Sequence, residues 1–338
     1  MPTAQEPQIR AAFRIPGNTD ASSPAQPVPA AAAEHIAGRV AANEPAPSEP
    51  EGPVGLLLVE YLHGQFLAML REDPRVRANE ADAVHKMRVS TRRMRSALAS
   101  YRRVLGPGQV QEVRDELKWL AGVLGAARDA QVMRSRLQSL AAAQPPELVM
   151  GPVRQHIDEE LLGEYRAAQA LVLQALDGDR YRSLLERLEI VVTKPDFTPE
   201  ADAPAAQTAA RMLTRDRKRL HRQVREARTA GSGNPGSESL HEARKDAKRL
   251  RYAAEVAQPV CTKGSAELAA GAEHIQKILG EHQDSVVSRE YLRRLGAEAA
   301  GAGRNGFTYG LMYEVEEERG RTARKRFRKA WSGFPRVV

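Results

Sequence analysis

Val84-His85-Lys86-Met87-Arg88-Val89-Ser90-Thr91-Arg92-Arg93-Met94-Arg95 is the stretch from which the fold can be read. Residues three, four and seven apart on a helix share a side. Val84, Met87, Thr91, Met94, Leu98 and Tyr101 keep that spacing and form one apolar side, which a helical bundle would bury. One residue later, about 100° round the helix, run His85, Arg88, Arg92 and Arg95. The pattern returns at a shift of 156 in Leu240-His241-Glu242-Ala243-Arg244-Lys245-Asp246-Ala247-Lys248-Arg249-Leu250-Arg251. There Leu240, Ala243, Ala247, Leu250 and Ala254 are the apolar side, and His241, Arg244, Lys248 and Arg251 the basic row. A second match keeps the order: Leu124-Gly125 with Asp129, Val132 and Leu137 reappears at a shift of 155 as Leu279-Gly280 with Asp284, Val287 and Leu292. Two ordered matches predict two similar helical units.

Outward from these stretches the period stays helical, and no window alternates as a half-buried strand would, so the fold class is all-α. The pattern predicts helices over Val54–Arg71, Glu80–Val104, Gln109–Leu140, Val153–Leu176, Arg180–Val192, Ala205–Arg228, Ser237–Ala257, Ser265–Leu295 and Gly306–Trp331, punctuated by Pro and Gly. Four helices per unit give a first unit at 53–195 and a second at 203–332, with Arg180–Val192 as connector. Residues 1–50 hold nine Pro and thirteen Ala without sustained periodicity, the composition of a disordered tail.

The 338 residues carry 51 Lys+Arg against 43 Asp+Glu, a net charge of +8. The tail has three bases and five acids, so the remainder carries +10. No apolar run approaches the roughly 18 residues of a spanning helix, and the N-terminus lacks a secretory apolar core. The single Cys261 leaves no intramolecular disulfide and no Cys-based zinc site, which points to a reducing cytoplasm.

Each basic row borders a buried side, so its stems can pack while its heads face a groove between the units. Few acids stand near enough on the helix to neutralise them, and a polyanion is the simplest missing partner. Arg's planar fork suits phosphate oxygens, and protonated His donates from both nitrogens. A solvated charge face is the plain alternative. It gives no reason for His, then three bases at the same offsets, to occur twice. Arg93 and Arg249 lie further round the helix. Arg215, Lys218, Arg222 and Arg225 repeat the offsets on Ala205–Arg228, a helix that is basic nearly all round. Gly125 and Gly280 inside long helices suggest close helix approach, and Asp129 and Asp284, one turn on, suggest acceptors that orient a row Arg or His.

The doubled His-x-x-Arg-x-x-x-(Arg/Lys)-Arg-x-Arg pattern, followed by Leu-Gly-x-x-x-Asp, resembles the conserved histidine α-helical domain (CHAD) family over about residues 53–332. The resemblance implies two pseudo-symmetric four-helix units around a basic cleft that binds inorganic polyphosphate and brings the protein to polyphosphate granules. No catalysis and no cofactor are expected from the residues of this chain. Carried over, the phosphate-facing residues are His85, Arg88, Arg92, Arg93, Arg95, His241, Arg244, Lys248, Arg249 and Arg251. Glu242 and Asp246, where the first copy has Lys86 and Ser90, suggest that the halves contribute unequally.

Other readings are weaker. Nucleic-acid binding fits the charge, but the rows hold no exposed ring on which single-stranded bases could stack. His241 or His85 as a phosphoacceptor would require a separate kinase. Glu60-x-x-His63 and Glu238-x-x-His241 have a di-metal spacing, yet they occupy non-equivalent places, and Arg244 and Lys245 flank the second. Neither a metal site nor a membrane partner is expected, and nothing in the sequence sets an oligomeric state.

Overall fold

The computed structural model describes residues 30–230 and 234–335. Ten α-helices are present among them: α1 (Ala30–Ala41), α2 (Val54–Arg77), α3 (Ala83–Ser100), α4 (Pro107–Ala142), α5 (Val153–Asp177), α6 (Asp179–Thr193), α7 (Ala205–Thr229), α8 (Asn234–Ala257), α9 (Thr262–Gly301) and α10 (Phe307–Ser332). The described residues contain no strand. Isolated bridges join Pro53 to Pro204 and Leu105 to Phe197.

The apolar side read from the sequence is the buried one. Met87, Thr91 and Met94 are wholly inaccessible, Leu98 and Tyr101 nearly so, and in α8 Ala243, Ala247, Leu250 and Ala254 match them. Each large side chain so buried is worth about 1.5–3 kcal/mol of transfer free energy. The packing order runs twice along the chain: α2 on α3, α3 on α4 and α4 on α5, then α7 on α8, α8 on α9 and α9 on α10. Across the halves α3 lies on α8, α2 on α7 and α4 on α9. One hydrophobic core runs through both halves, from Leu57 and Met94 to Leu250 and Leu279. A smaller core joins the far ends of α4 and α5 to those of α9 and α10 through Leu137, Ile157, Leu295 and Met312.

Of the boundaries that differ from the sequence reading, three have a visible physical cause. Residues 1–29 lie outside the described residues, but residues 30–41, assigned to the tail, form α1. Its Ala33, Ile36 and Val40 are buried against α2 and α6. The Val40 carbonyl meets His63 Nε2 at 2.9 Å, and Arg39 bonds Glu189 on α6 at 2.6 Å. The apolar i, i+3, i+7 spacing of Ala33, Ile36 and Val40 was masked by the surrounding Ala and Pro. Second, α2 runs through Pro74 to Arg77, six residues past the expected end at Arg71. Buried Asp73 accepts from Arg77 Nε at 2.6 Å and holds that last turn. Third, α3 begins at Ala83, because Asn79 and Asp82 take positive φ, a region these two residue types tolerate.

Candidate anion-binding site

Because α3 packs on α8, the two basic rows meet at one seam. Arg88, Arg92, Arg244 and Lys248 are all half-buried there. Burial pushes the Arg92 guanidinium below its ordinary value, and Arg88, Arg95 and Arg244 push it further. Lys248 is pushed down to about 6, first by burial and then by Arg92, Arg244 and Arg88. Arg244 is lowered by burial, with Arg88 adding to that and Asp284 opposing it. Basic neighbours from two helices therefore raise the cost of charging Arg92, Arg244 and Lys248. Arg88 has one bonded carboxylate, Asp129 at 3.3 Å, and Asp129 is itself 59% exposed. Among the described residues Arg92, Arg244 and Lys248 have no carboxylate within bonding distance.

The two helical glycines serve a purpose different from the close helix approach expected of them. The Arg88 guanidinium lies across Gly125, with Nε 3.5 Å from where a Cβ would stand, and Arg244 lies across Gly280 with its Nη2 at 3.5 Å. An arginine, not a neighbouring helix, fills the space. The Nε atoms of Arg88 and Arg244 are both buried without a hydrogen-bond partner, an arrangement that leaves two donors unsatisfied at equivalent places.

The histidines that open the rows differ. His241 Nδ1 meets Gln283 Oε1 at 2.9 Å. His85 Nδ1 is buried and unpartnered, since the position equivalent to Gln283 is Arg128, whose charge joins burial in holding the imidazole below its ordinary value. Burial and Lys245 also lower His241. Asp129 bonds Arg88, in keeping with the orienting role suggested for it. Asp284 reaches Arg244 only through its field, and burial raises its carboxyl.

Other residues of the expected set have internal acids. Arg93 Nε bonds Glu255 at 2.8 Å across the seam. Arg251 Nε bonds the same Glu255 at 3.0 Å, and its Nη1 lies 3.5 Å from Glu273. Arg249 Nε lies 3.2 Å from buried Asp216. The expectation that few acids stood close enough failed for Arg251, because Glu255 is four residues on along the same helix face. On α7, Arg215 donates to the Ser100 carbonyl at 3.1 Å, while Lys218, Arg222 and Arg225 are exposed. None of these four is among the charges felt by Arg92, Arg244 or Lys248. Arg95, half-buried, is lowered by burial and by Arg114.

A concavity of about 640 Å³ lies apart from the seam, between α9 and α10. Its acids, Glu281 and Glu318, already bond Arg136 and Arg321. No group of three or more His, Cys, Asp or Glu side chains suited to a metal occurs among the described residues. Glu60 accepts from the Ser48 backbone N–H at 2.9 Å, and His63 meets the Val40 carbonyl. No helix among the described residues is long and apolar enough to cross a membrane.

The model of the CHAD domain family matches residues 60–293. The chain is a member of the CHAD domain family. Two curated relatives, the uncharacterized proteins MT2285 and Rv2226 from two strains of Mycobacterium tuberculosis, are each 37% identical over 297 residues. The match takes in 86% of this chain and 55% of theirs, so this CHAD chain spans about half the length of those relatives. Two solved structures share the fold. PptA from Streptomyces chartreusis superposes with a TM-score of 0.69 at 20% identity, covering 83% of this chain and 99% of that one. The CHAD domain of the plant Ricinus communis gives 0.66 at 22% identity, covering 88% and 98%.

Proposed function

We propose that this CHAD domain binds inorganic polyphosphate along the α3–α8 seam and is brought to polyphosphate granules by that binding. The observation that supports the reading most is the convergence of Arg88, Arg92, Arg244 and Lys248, from both halves, with Asp129 as their one bonded acid. Each buried cation costs free energy that a neighbouring phosphate would offset, and the unpaired Nε donors of Arg88 and Arg244 would be satisfied by its oxygens. His85 and His241 flank the seam at the start of the two rows, and Arg95 extends it. Arg93 and Arg251, bonded to Glu255, and Arg249, ion-paired with Asp216, hold the helices together. On α7, Lys218, Arg222 and Arg225 form a solvated surface, and Arg215 is tied to Ser100 and Asp216.

The test is binding of polyphosphate to wild type and to Arg88→Ala/Arg244→Ala across a salt series. By analogy with single-stranded nucleic acid, each neutralised charge contributes about 0.7 to the slope of log K against log salt. The double variant is expected to lose at least about tenfold in affinity and about 1.4 in slope, with helicity intact. Wild-type affinity left untouched by both substitutions, or duplex DNA displacing polyphosphate at equal phosphate concentration, would overturn the reading.

A further inference from the structure

The two ends of the seam are not alike. Where the second row ends, Arg251 meets Glu255 and Glu273. At the equivalent positions of the first half, by the shifts of 156 and 155, Arg95 replaces Arg251, Ala99 replaces Glu255, and Lys118 replaces Glu273. Ala269, one turn before Glu273, corresponds to Arg114. One end of the seam is thus closed by two carboxylates, and the other gains two bases.

Arg114 and Lys118 are one turn apart on α4, the helix packed on α3. The Arg114 charge is felt by Arg95. Its Nε is buried without a hydrogen-bond partner, and its Nη1 donates to Gln111 Oε1 at 3.3 Å. The acids of this stretch are engaged elsewhere. Glu116 bonds Arg180 on α6 at 2.6 Å, Glu112 bonds Arg187 on α6, and Asp115 accepts from Gln111 at 2.8 Å. Glu112 and Glu116 lie on the side of α4 toward α6, while Arg114 faces the end of the α3 row, with Lys118 one turn further along α4.

The geometry points to a second phosphate subsite at Arg95, Arg114 and Lys118, through which a long polyphosphate leaves the seam over the first half of the molecule only. Binding there rests on the polyphosphate reading above and adds a direction and a chain-length preference to it. A short chain fills the seam. A longer one runs onto α4, away from Glu255 and Glu273, whose charges would repel it at the other end.

The test compares about five-phosphate chains with chains of about one hundred phosphates on wild type, Arg114→Gln/Lys118→Gln, Arg114→Lys and Arg88→Ala/Arg244→Ala, with helicity as a check on folding. The glutamine pair is expected to lower long-chain affinity about tenfold and its salt slope by about 1.4, while short-chain affinity stays within about twofold. Arg114→Lys keeps the charge and should retain most of the long-chain affinity. Equal loss for both lengths, or no loss for either, refutes the subsite while leaving the seam standing. If wild type binds neither length, the polyphosphate reading falls and the subsite with it.

Discussion

Lys248 concentrates the electrostatics of the site in a single amine. Folding places it among Arg92, Arg244 and Arg88, and its value drops to about 6 from an ordinary 10.5. Between those two values the unfolded chain holds a proton that the folded, empty site releases. The ligand-free protein therefore gains stability as pH rises through that window and loses it as pH falls toward 6. A polyanion in the seam reverses the field and restores the charge. At about pH 7.5 polyphosphate binding should therefore take up roughly one proton at this residue, seen as a binding enthalpy that changes with the ionisation enthalpy of the buffer. Lys248→Met should remove most of that dependence and raise the melting temperature of the ligand-free protein at the same pH. Identical enthalpies in all buffers would contradict this account. His85 and His241, both lowered mainly by burial, add a smaller uptake at lower pH.

At the scale of elements, α3 carries two functions on adjoining faces. Its seam face leaves Arg92 without a carboxylate and Arg88 with only the exposed Asp129, and the next residue, Arg93, crosses to Glu255 on α8. Its end is tied to α7, where Asp216, 1% exposed, receives Ser100 Oγ at 3.2 Å and lies 3.2 Å from Arg249 Nε. Removing that carboxylate leaves Arg249 half-buried and unpaired. Asp216→Ala is expected to cost about 2 kcal/mol in a denaturant titration, discounted for the partial exposure of the arginine. Polyphosphate affinity should change little, because the seam cations do not bond Asp216. The i, i+4 relation of Arg251 to Glu255 could be read from the chain. The pairing of Arg249 with Asp216 could not, since it joins two helices whose facing sides depend on the bundle.

Across the whole molecule, one hydrophobic core takes in both halves, and α1 is docked on it against α2 and α6. Deleting residues 1–41 removes Ala33, Ile36 and Val40 from the core and takes away the partner of His63 Nε2. A loss of about 2–4 kcal/mol is expected from the apolar burial alone, with polyphosphate affinity unchanged. If the deletion weakens binding without lowering the melting temperature, α1 has a part in the site that its packing does not suggest.

The chain alone determined that the protein is all-helical, where most helices begin and end, and that a basic row follows an apolar side twice. Those features are local: a 3.6-residue period, a proline or a glycine is enough to write them. Only the tertiary structure decided which cations remain without an acid. Arg93, Arg249 and Arg251 are the same residue type as Arg92 and Arg244, and all five lie on the two repeated helices. What separates them is the presence of Glu255, Glu273 or Asp216 within about 4 Å. The same holds for Arg114 and for α1, whose neighbours come from parts of the sequence that no periodicity links to them.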